Sequence, residues 1–412
     1  MTGFDTIVVG SGPAGLSAAL AAAEKGARVL LCERLRTFGL KLLASGGSKC
    51  NVSNVLDESA FMSAFGREGR FMKPALDNAY HDWLFGFLKS RNVPLKCVDS
   101  FHYFPKSERA RDVLNAFSSA FLALGGTMRN ECRIDRILTE CDSVSGVETA
   151  DGEIIPCRAV VLAGGGTAWP TLGGGRHGLN LAAALGHTLA PLLPAMAPLL
   201  IRERWVRELT GIALPDSELT FSRGRFRFRN RGELLFTHDG LSGPCAIDLA
   251  GDLAETCVRN GGDTELVFRP DAAKDAAAWR SVIDGWRVKE GRRQLRTVLG
   301  WSFPRALADA FCALANCGDE KLCELPSAVR DRLASVLGGV SLTAYGSGPI
   351  ERAMAMKGGI RLKEISPATL ESRLVHRLYF AGEIMDLTGP CGGYNIQWAL
   401  SSGRLAGSSA AG

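Results

Sequence analysis

Four hundred and twelve residues are more chain than one simple core absorbs, and the length predicts two or three domains. With 46% apolar and 22% charged residues the chain is neither a disordered tail nor a fibre, and a formal charge of +5 is too slight for a dedicated nucleic-acid binder. Glycine is the departure, since 48 are present where the usual share of ~7% would give about 29.

The first glycines follow a short β-branched run, Thr6-Ile7-Val8-Val9, as Gly10-Ser11-Gly12-Pro13-Ala14-Gly15. An Ala-rich stretch over 16–25 has helical composition, ends at Gly26, and gives way to the apolar run 28–32, which closes on Glu33. Strand, G-x-G-x-x-G, helix, strand and acid in this order predict an adenine-dinucleotide site. Gly10 permits the tight turn, Gly12 lets the backbone approach a pyrophosphate, and Gly15 lets helix and strand pack closely. Pro13 suits a first helical turn, where its missing N–H is not needed. The helix start faces the phosphates, and Glu33 is placed to accept from a ribose hydroxyl.

A second Gly-rich segment follows over 39–54, ending Ser45-Gly46-Gly47-Ser48-Lys49-Cys50-Asn51-Val52-Ser53-Asn54. Its loose polar character suits a loop along the pyrophosphate and a large ring, with a flexible surface loop as the bland alternative. Cys50 has no partner at C-x-x-C or C-x4-C spacing, which argues against a dithiol relay. Further on, Asp151-Gly152 marks a hairpin turn before a strand over 153–157, and the run 159–163 leads into Gly164-Gly165-Gly166. Gly173-x-Gly175-x-x-Gly178 formally repeats the first motif, but it follows Trp169-Pro170 rather than a strand, so no separate nicotinamide domain is expected.

Pro191, Pro194 and Pro198 mark a boundary, after which short strand-like runs predict a small antiparallel β unit. In it Arg223, Arg225, Arg227, Arg229 and Arg231 alternate with Gly224, Phe226 and Phe228. Period two would put all five arginines on one face of one strand with the phenylalanines inward. A solvated face is the ordinary reading and an anionic partner such as RNA the sharper one. From 272 to 337 the composition turns helical, with Arg292, Arg293 and Arg296 at exposed-looking positions. The chain closes with the strand-like run 378–381, then Gly382-Glu383, and Gly392-Gly393-Tyr394-Asn395 opening a last helix through Leu405.

Together these segments resemble the FAD flavoproteins with two dinucleotide-binding motifs. They look more narrowly like the aminoacetone-oxidase family, which includes a homologue from bacterial bile-acid dehydroxylation. The most specific pieces are the loop 41–54, Phe236-Thr237-His238-Asp239-Gly240-Leu241-Ser242-Gly243-Pro244, and Lys357-Gly358-Gly359-Ile360 leading to Gly382-Glu383 and Gly392-Gly393-Tyr394-Asn395. The resemblance implies an α/β fold. A Rossmann-like, glutathione-reductase-like FAD domain over 1–190 and 346–412 would carry an inserted β-barrel-like domain over 191–271 and a helical one over 272–345. Insert over cofactor would leave a cleft for a small-molecule substrate.

The resemblance also implies non-covalent FAD. Gly10, Ser11, Gly12, Pro13, Ala14 and Gly15 would hold the pyrophosphate and Glu33 the adenosine ribose, with Arg34 also among the cofactor-binding residues. Lys41, Gly46, Gly47, Lys49, Cys50 and Asn51 would lie beside pyrophosphate and flavin. A strand amide at Ile134 would touch adenine, and Ala163, Gly164 and Gly165 would line the cofactor. Gly382 and Glu383 would take the ribityl chain, and Gly393, Tyr394, Asn395 and Ile396 the isoalloxazine ring. Lys49 stands where the family usually has Arg, keeping the charge without the planar fork. Arg176-His177 stands where relatives carry Gly-Asp, so substrate or redox partner can differ.

Catalytic candidates are His102, His177, His238 and Cys391, each with a packing role as the alternative, and no metal set is expected. Cys312, Cys317 and Cys323 lack paired histidines. The reaction implied is oxidation of a small amine or amino ketone with oxygen as acceptor. The alternatives are an NAD(P)H-dependent reductase of an enone-like substrate, with the nicotinamide bound transiently over the flavin, and an RNA-modifying flavoprotein. Twelve cysteines without a secretory leader, and no apolar run near the ~18 residues of a membrane span, lead us to expect a soluble cytoplasmic protein.

Overall fold

The β-branched run at the start forms the strand Phe4–Val9, fully buried over its last four residues. The Ala-rich stretch forms the helix Pro13–Glu24, buried from Ala14 to Ala23. Alanine favours the helix and leaves it slim enough to be covered on all sides. Strand and helix press together because Gly15 has no side chain: a Cβ there would stand 1.8 Å from the Gly10 carbonyl oxygen. Gly10 itself turns the chain at a left-handed φ of +102°.

The computed structural model describes residues 3–412 and divides into two units, the chain up to Leu193 with Ile350–Gly412, and Pro194–Pro349. In the first, five strands run parallel in the order Thr127–Arg129, Val29–Cys32, Phe4–Val9, Ile154–Leu162, Leu378–Phe380. The lower half of Ile154–Leu162 also continues an antiparallel meander through Ser143–Thr149 and Ile134–Glu140. The two runs expected on either side of Arg158 are therefore one strand, and Asp151-Gly152 sits in the turn leading into it. The last helix, Tyr394–Ala410, lies against the first through Gly403 and Gly407.

The second unit is built on a closed six-stranded antiparallel barrel, in the order Leu199–Ile201, Gly240–Ser242, Phe226–Thr237, Ala213–Arg223, Thr264–Arg269, Val340–Ser347. Closure pairs Leu199–Ile201 with Val340–Ser347 and so removes the sheet edges. The helices Ala276–Glu290, Leu295–Leu299, Arg305–Leu314 and Ser327–Gly338 lie between its last two strands in sequence, and Trp279, Phe303 and Phe311 pack among them. Antiparallel strands and helices thus share one unit.

The arginine run differs from expectation. Gly224, at φ +57°, turns the chain, so Arg223 ends one strand while Arg227, Arg229 and Arg231 lie on the next, with Arg223 opposite Phe226. Phe226 is 40% exposed at the tip rather than inward, and Phe228 stacks on Phe221 with centroids 4.8 Å apart. Arg223 pairs with Glu255, Arg229 with Glu218 and Arg231 with Asp216. Acids on neighbouring segments thus neutralise three of the five. Among the described residues, no helix is long and apolar enough to cross a membrane.

Candidate active site

Gly12 caps the first helix with no side-chain acceptor, and no acid occupies the first turn. Its amides therefore keep donor capacity, backed by the positive end of the helix dipole. Nothing lies within 4 Å of where a Cβ at Gly12 would stand. The last helix repeats the arrangement, with Gly393 as its cap at φ +82°, no side-chain cap and no acid in the first turn. Gly382 lies against both helices, since a Cβ on it would stand 2.8 Å from the Ala14 side chain and 3.6 Å from that of Ala399.

Glu33 ends its strand with both carboxylate oxygens organised. Oε2 accepts from the Ser11 amide at 3.0 Å and the Ser11 hydroxyl at 2.5 Å, and Oε1 accepts from the Leu35 amide at 2.9 Å. Ser11 Oγ in turn accepts from the Gly39 amide, joining the first Gly-rich turn to the start of the second. Arg34 donates to the Gly173 and Gly174 carbonyls at 2.9 and 3.3 Å, which spends the formal second G-x-G-x-x-G on a structural contact.

The segment 39–54 is not loose. It holds a short helix, Leu40–Ala44, and Leu42, Cys50 and Val52 are buried. Burial pushes the Cys50 thiol up to about 12, so it is an uncharged packing group at neutral pH. Lys49 extends to Glu108 at 2.8 Å, and Lys49 with Lys96 holds that carboxyl down at about 2. Gly46 and Gly47 form the adjoining turn at φ +54° and +65°.

Lys41 reaches Glu383, Nζ to Oε2 at 2.7 Å, both being mostly covered. Glu383 also accepts from the Met356 amide at 2.9 Å and the Gly166 amide at 3.3 Å. One carboxylate therefore ties the second Gly-rich segment, the glycines after Ala163, and the strand Ala355–Ile360. Thr167 Oγ1, buried beside Gly164, Gly165 and Gly166, makes no hydrogen bond.

At the last helix, Asn54 Nδ2 donates to the Gly392 carbonyl at 2.9 Å. With its amide turned to satisfy both ends, Asn51 donates to the Ser53 carbonyl at 2.8 Å and accepts from the Gly393 amide at 3.1 Å. Asn395 staples the approach loop through the Gly389 amide and carbonyl, each at 2.9 Å. Tyr394 is 8% exposed and packs on Phe61, 5.3 Å between centroids, so it belongs to an aromatic wall. Ile396 is half-buried two residues further on.

The catalytic candidates separate. His102 lies on the strand His102–Pro105, opposite Asn54, with Nδ1 2.9 Å from both oxygens of Asp99. Partial burial raises the Asp99 carboxyl, but the His102 ring and amide outweigh this and hold it below the ordinary carboxylate range. His177 donates from Nε2 to the Ile134 carbonyl at 2.6 Å, so that ring joins its helix to the meander. His238 sits in the barrel unit, largely exposed, with Nε2 3.1 Å from Asp239. Cys391 is exposed beside Gly392. Sequence reasoning passed over Asp99, and the signal was an acid three residues before the histidine across a tight hairpin.

Two uncapped helix starts on packed helices, an acid at the end of the second strand, and open space where a Cβ at Gly12 would stand fit FAD and define a dinucleotide-binding flavoprotein. The family model for the HI0933-like protein Rossmann domain matches residues 4–409, and the chain belongs to that family. It is similar to the 3-dehydro-bile acid delta(4,6)-reductase of Clostridium scindens, 28% identical over 98% of both chains. It is also similar to the ribosomal RNA dihydrouridine synthase of Escherichia coli, 29% identical over 98% of this chain and 96% of that one. Among solved structures, the 3-ketosteroid delta1-dehydrogenase of Sterolibacterium denitrificans shares the fold at a TM-score of 0.54, covering 99% of each chain at 14% identity. The protein is an FAD-dependent oxidoreductase.

Proposed function

We propose that this flavoenzyme saturates a carbon–carbon double bond conjugated to a carbonyl, taking hydride from a transiently bound NAD(P)H. The observation that carries the reading is likeness along almost the whole chain to two proteins named for a bile-acid reduction and for making dihydrouridine. A conjugated steroid ketone and a uracil ring both present an alkene beside a carbonyl. Bound FAD supplies two-electron hydride chemistry. The chain's own residues hold and orient: first-helix amides for the pyrophosphate, Glu33 for a ribose, Glu383 for the ribityl chain, last-helix amides for the ring. Arg34 occupies the only other G-x-G-x-x-G, which supports a nicotinamide that visits the flavin rather than one with its own domain.

The narrower resemblance to aminoacetone oxidases supports a second reading, oxidation of a small amine or amino ketone with oxygen as acceptor. One anaerobic experiment separates the two. FAD-loaded protein is mixed with NADPH or with aminoacetone and the flavin absorbance followed. The bleached sample then receives 2-cyclohexenone, a uridine-containing RNA, or air. Bleaching by NADPH and recovery with an enone or RNA is the expected result. Bleaching by aminoacetone, peroxide on aeration, and no recovery with either alkene would overturn the proposal in favour of amine oxidation.

A further inference from the structure

Saturating a conjugated alkene adds a hydride to the carbon remote from the carbonyl and a proton to the carbon beside it. The hydride pair comes from NAD(P)H by way of the cofactor, so a separate group must give the proton. Resting on the reading above, we infer that His102, oriented by Asp99, delivers that proton.

The geometry is that of a positioned acid. Asp99 and His102 face each other across the hairpin joining Leu95–Val98 to His102–Pro105, where Asp99 and Ser100 take left-handed φ values of 50° and 60°. Asp99 Oδ1 accepts from the His102 amide at 3.2 Å as well as meeting Nδ1, so backbone and ring are both held. A carboxylate on Nδ1 fixes the orientation of the ring and aims Nε2 away from itself. Nε2 lies against the Gly-Gly turn that opens the last helix: a Cβ on Gly392 would stand 3.1 Å from it. Glycine at 392 is what lets the imidazole lie against this turn. The ring is 30% exposed, open to substrate and to water that restores its proton.

The other histidines of this unit sit elsewhere. His81 gives Nε2 to Ser53 at 3.0 Å, and burial lowers its pKa to about 4, which keeps it neutral. His177 is spent on the Ile134 carbonyl. His187 is buried between Glu364 and Ser372, at 3.2 and 2.8 Å. His376 lines a cavity with Arg377 and Ser409 at the far end of the last helix.

The step balances. Imidazolium becomes imidazole, the carbon beside the carbonyl gains the proton, the remote carbon gains the hydride, and NAD(P)H becomes NAD(P)⁺.

The test uses FAD-loaded wild type, His102→Gln and Asp99→Asn, with FAD content and visible spectrum of each recorded first. In one arm the protein is titrated with p-nitrophenol, which mimics a carbonyl-bearing ring and reports its own ionisation. Wild type is expected to bind it as the yellow phenolate, and His102→Gln to weaken binding by about tenfold, one unit of ligand pKa. In the second arm the flavin is reduced with one equivalent of dithionite and reoxidised by 2-cyclohexenone. His102→Gln is expected to slow reoxidation by ~10²–10⁴-fold, the usual range for losing a general acid, with Asp99→Asn between it and wild type. A merely structural histidine would lower FAD content without changing the ionisation of the bound phenol. Wild-type reoxidation by His102→Gln, or unchanged phenolate binding, would overturn the assignment. If no enone reoxidises even the wild type while His102→Gln loses the phenolate, the alkene-reduction reading falls and His102 stands as the proton group over the site.

Discussion

Gly403 and Gly407, one turn apart on the last helix, set how closely it approaches the first. A Cβ on Gly403 would stand 2.2 Å from the Ala14 carbonyl oxygen, and one on Gly407 2.1 Å from that of Ala18. Both obstacles are backbone atoms and cannot rotate aside. For ordinary contact at 3.4 Å the helices would have to part by more than an ångström at Gly407. Alanine favours a helix interior over glycine by ~1 kcal/mol, but forcing an extra carbon into a packed seam costs ~1–3 kcal/mol, and the gap opened alongside forfeits further dispersion contacts. Gly407→Ala should therefore lose about 1–2 kcal/mol net. Gly86, exposed in the helix His81–Ser90 with nothing within 4 Å of its would-be Cβ, supplies the control. There the same substitution should gain ~0.5–1 kcal/mol. Urea unfolding of FAD-saturated protein, followed by helical circular dichroism, reads both midpoints. A Gly407→Ala midpoint at or above that of Gly86→Ala would refute the argument that backbone contact governs this seam.

Gly12→Ala separates cofactor space from protein packing. Because nothing of the protein lies within 4 Å of the new methyl, apo stability should stay within ~0.5 kcal/mol. FAD affinity, read by flavin fluorescence, should fall by at least about tenfold, ~1.4 kcal/mol. Unchanged affinity would remove the pyrophosphate from this turn. His81 predicts a pH effect. Burial depresses its pKa from 6.5 to about 4, so between those values the unfolded chain binds a proton that the folded one refuses. Stability should fall as pH drops through that window, and His81→Phe should remove one proton's worth of slope from the unfolding midpoint. Parallel slopes for the two proteins would show that His81 does not titrate in this way.

The first dinucleotide motif was legible because its requirements are local. A left-handed turn at Gly10, a slim Ala-rich helix and an acid at a strand end are properties of a few consecutive residues. The barrel-like insert was legible for the same reason, since short strands and turns announce themselves. The arginine run misled because period two cannot reveal that Gly224 turns the chain in its middle. The segment 39–54 misled because polar composition hides the buried Leu42, Cys50 and Val52.

By itself, the sequence determined that the chain carries the dinucleotide motif of an FAD protein and where its glycine-rich turns fall. Only the tertiary structure decided the partners: Lys41 with Glu383 across 342 residues, Asn54 with Gly392 across 338, His102 against the same glycine, and Gly407 on Ala18. Backbone conformation follows from each residue's own sterics. A pair hundreds of residues apart meets only when burial of the whole sheet and both helices chooses one packing, and no short window of sequence carries that choice.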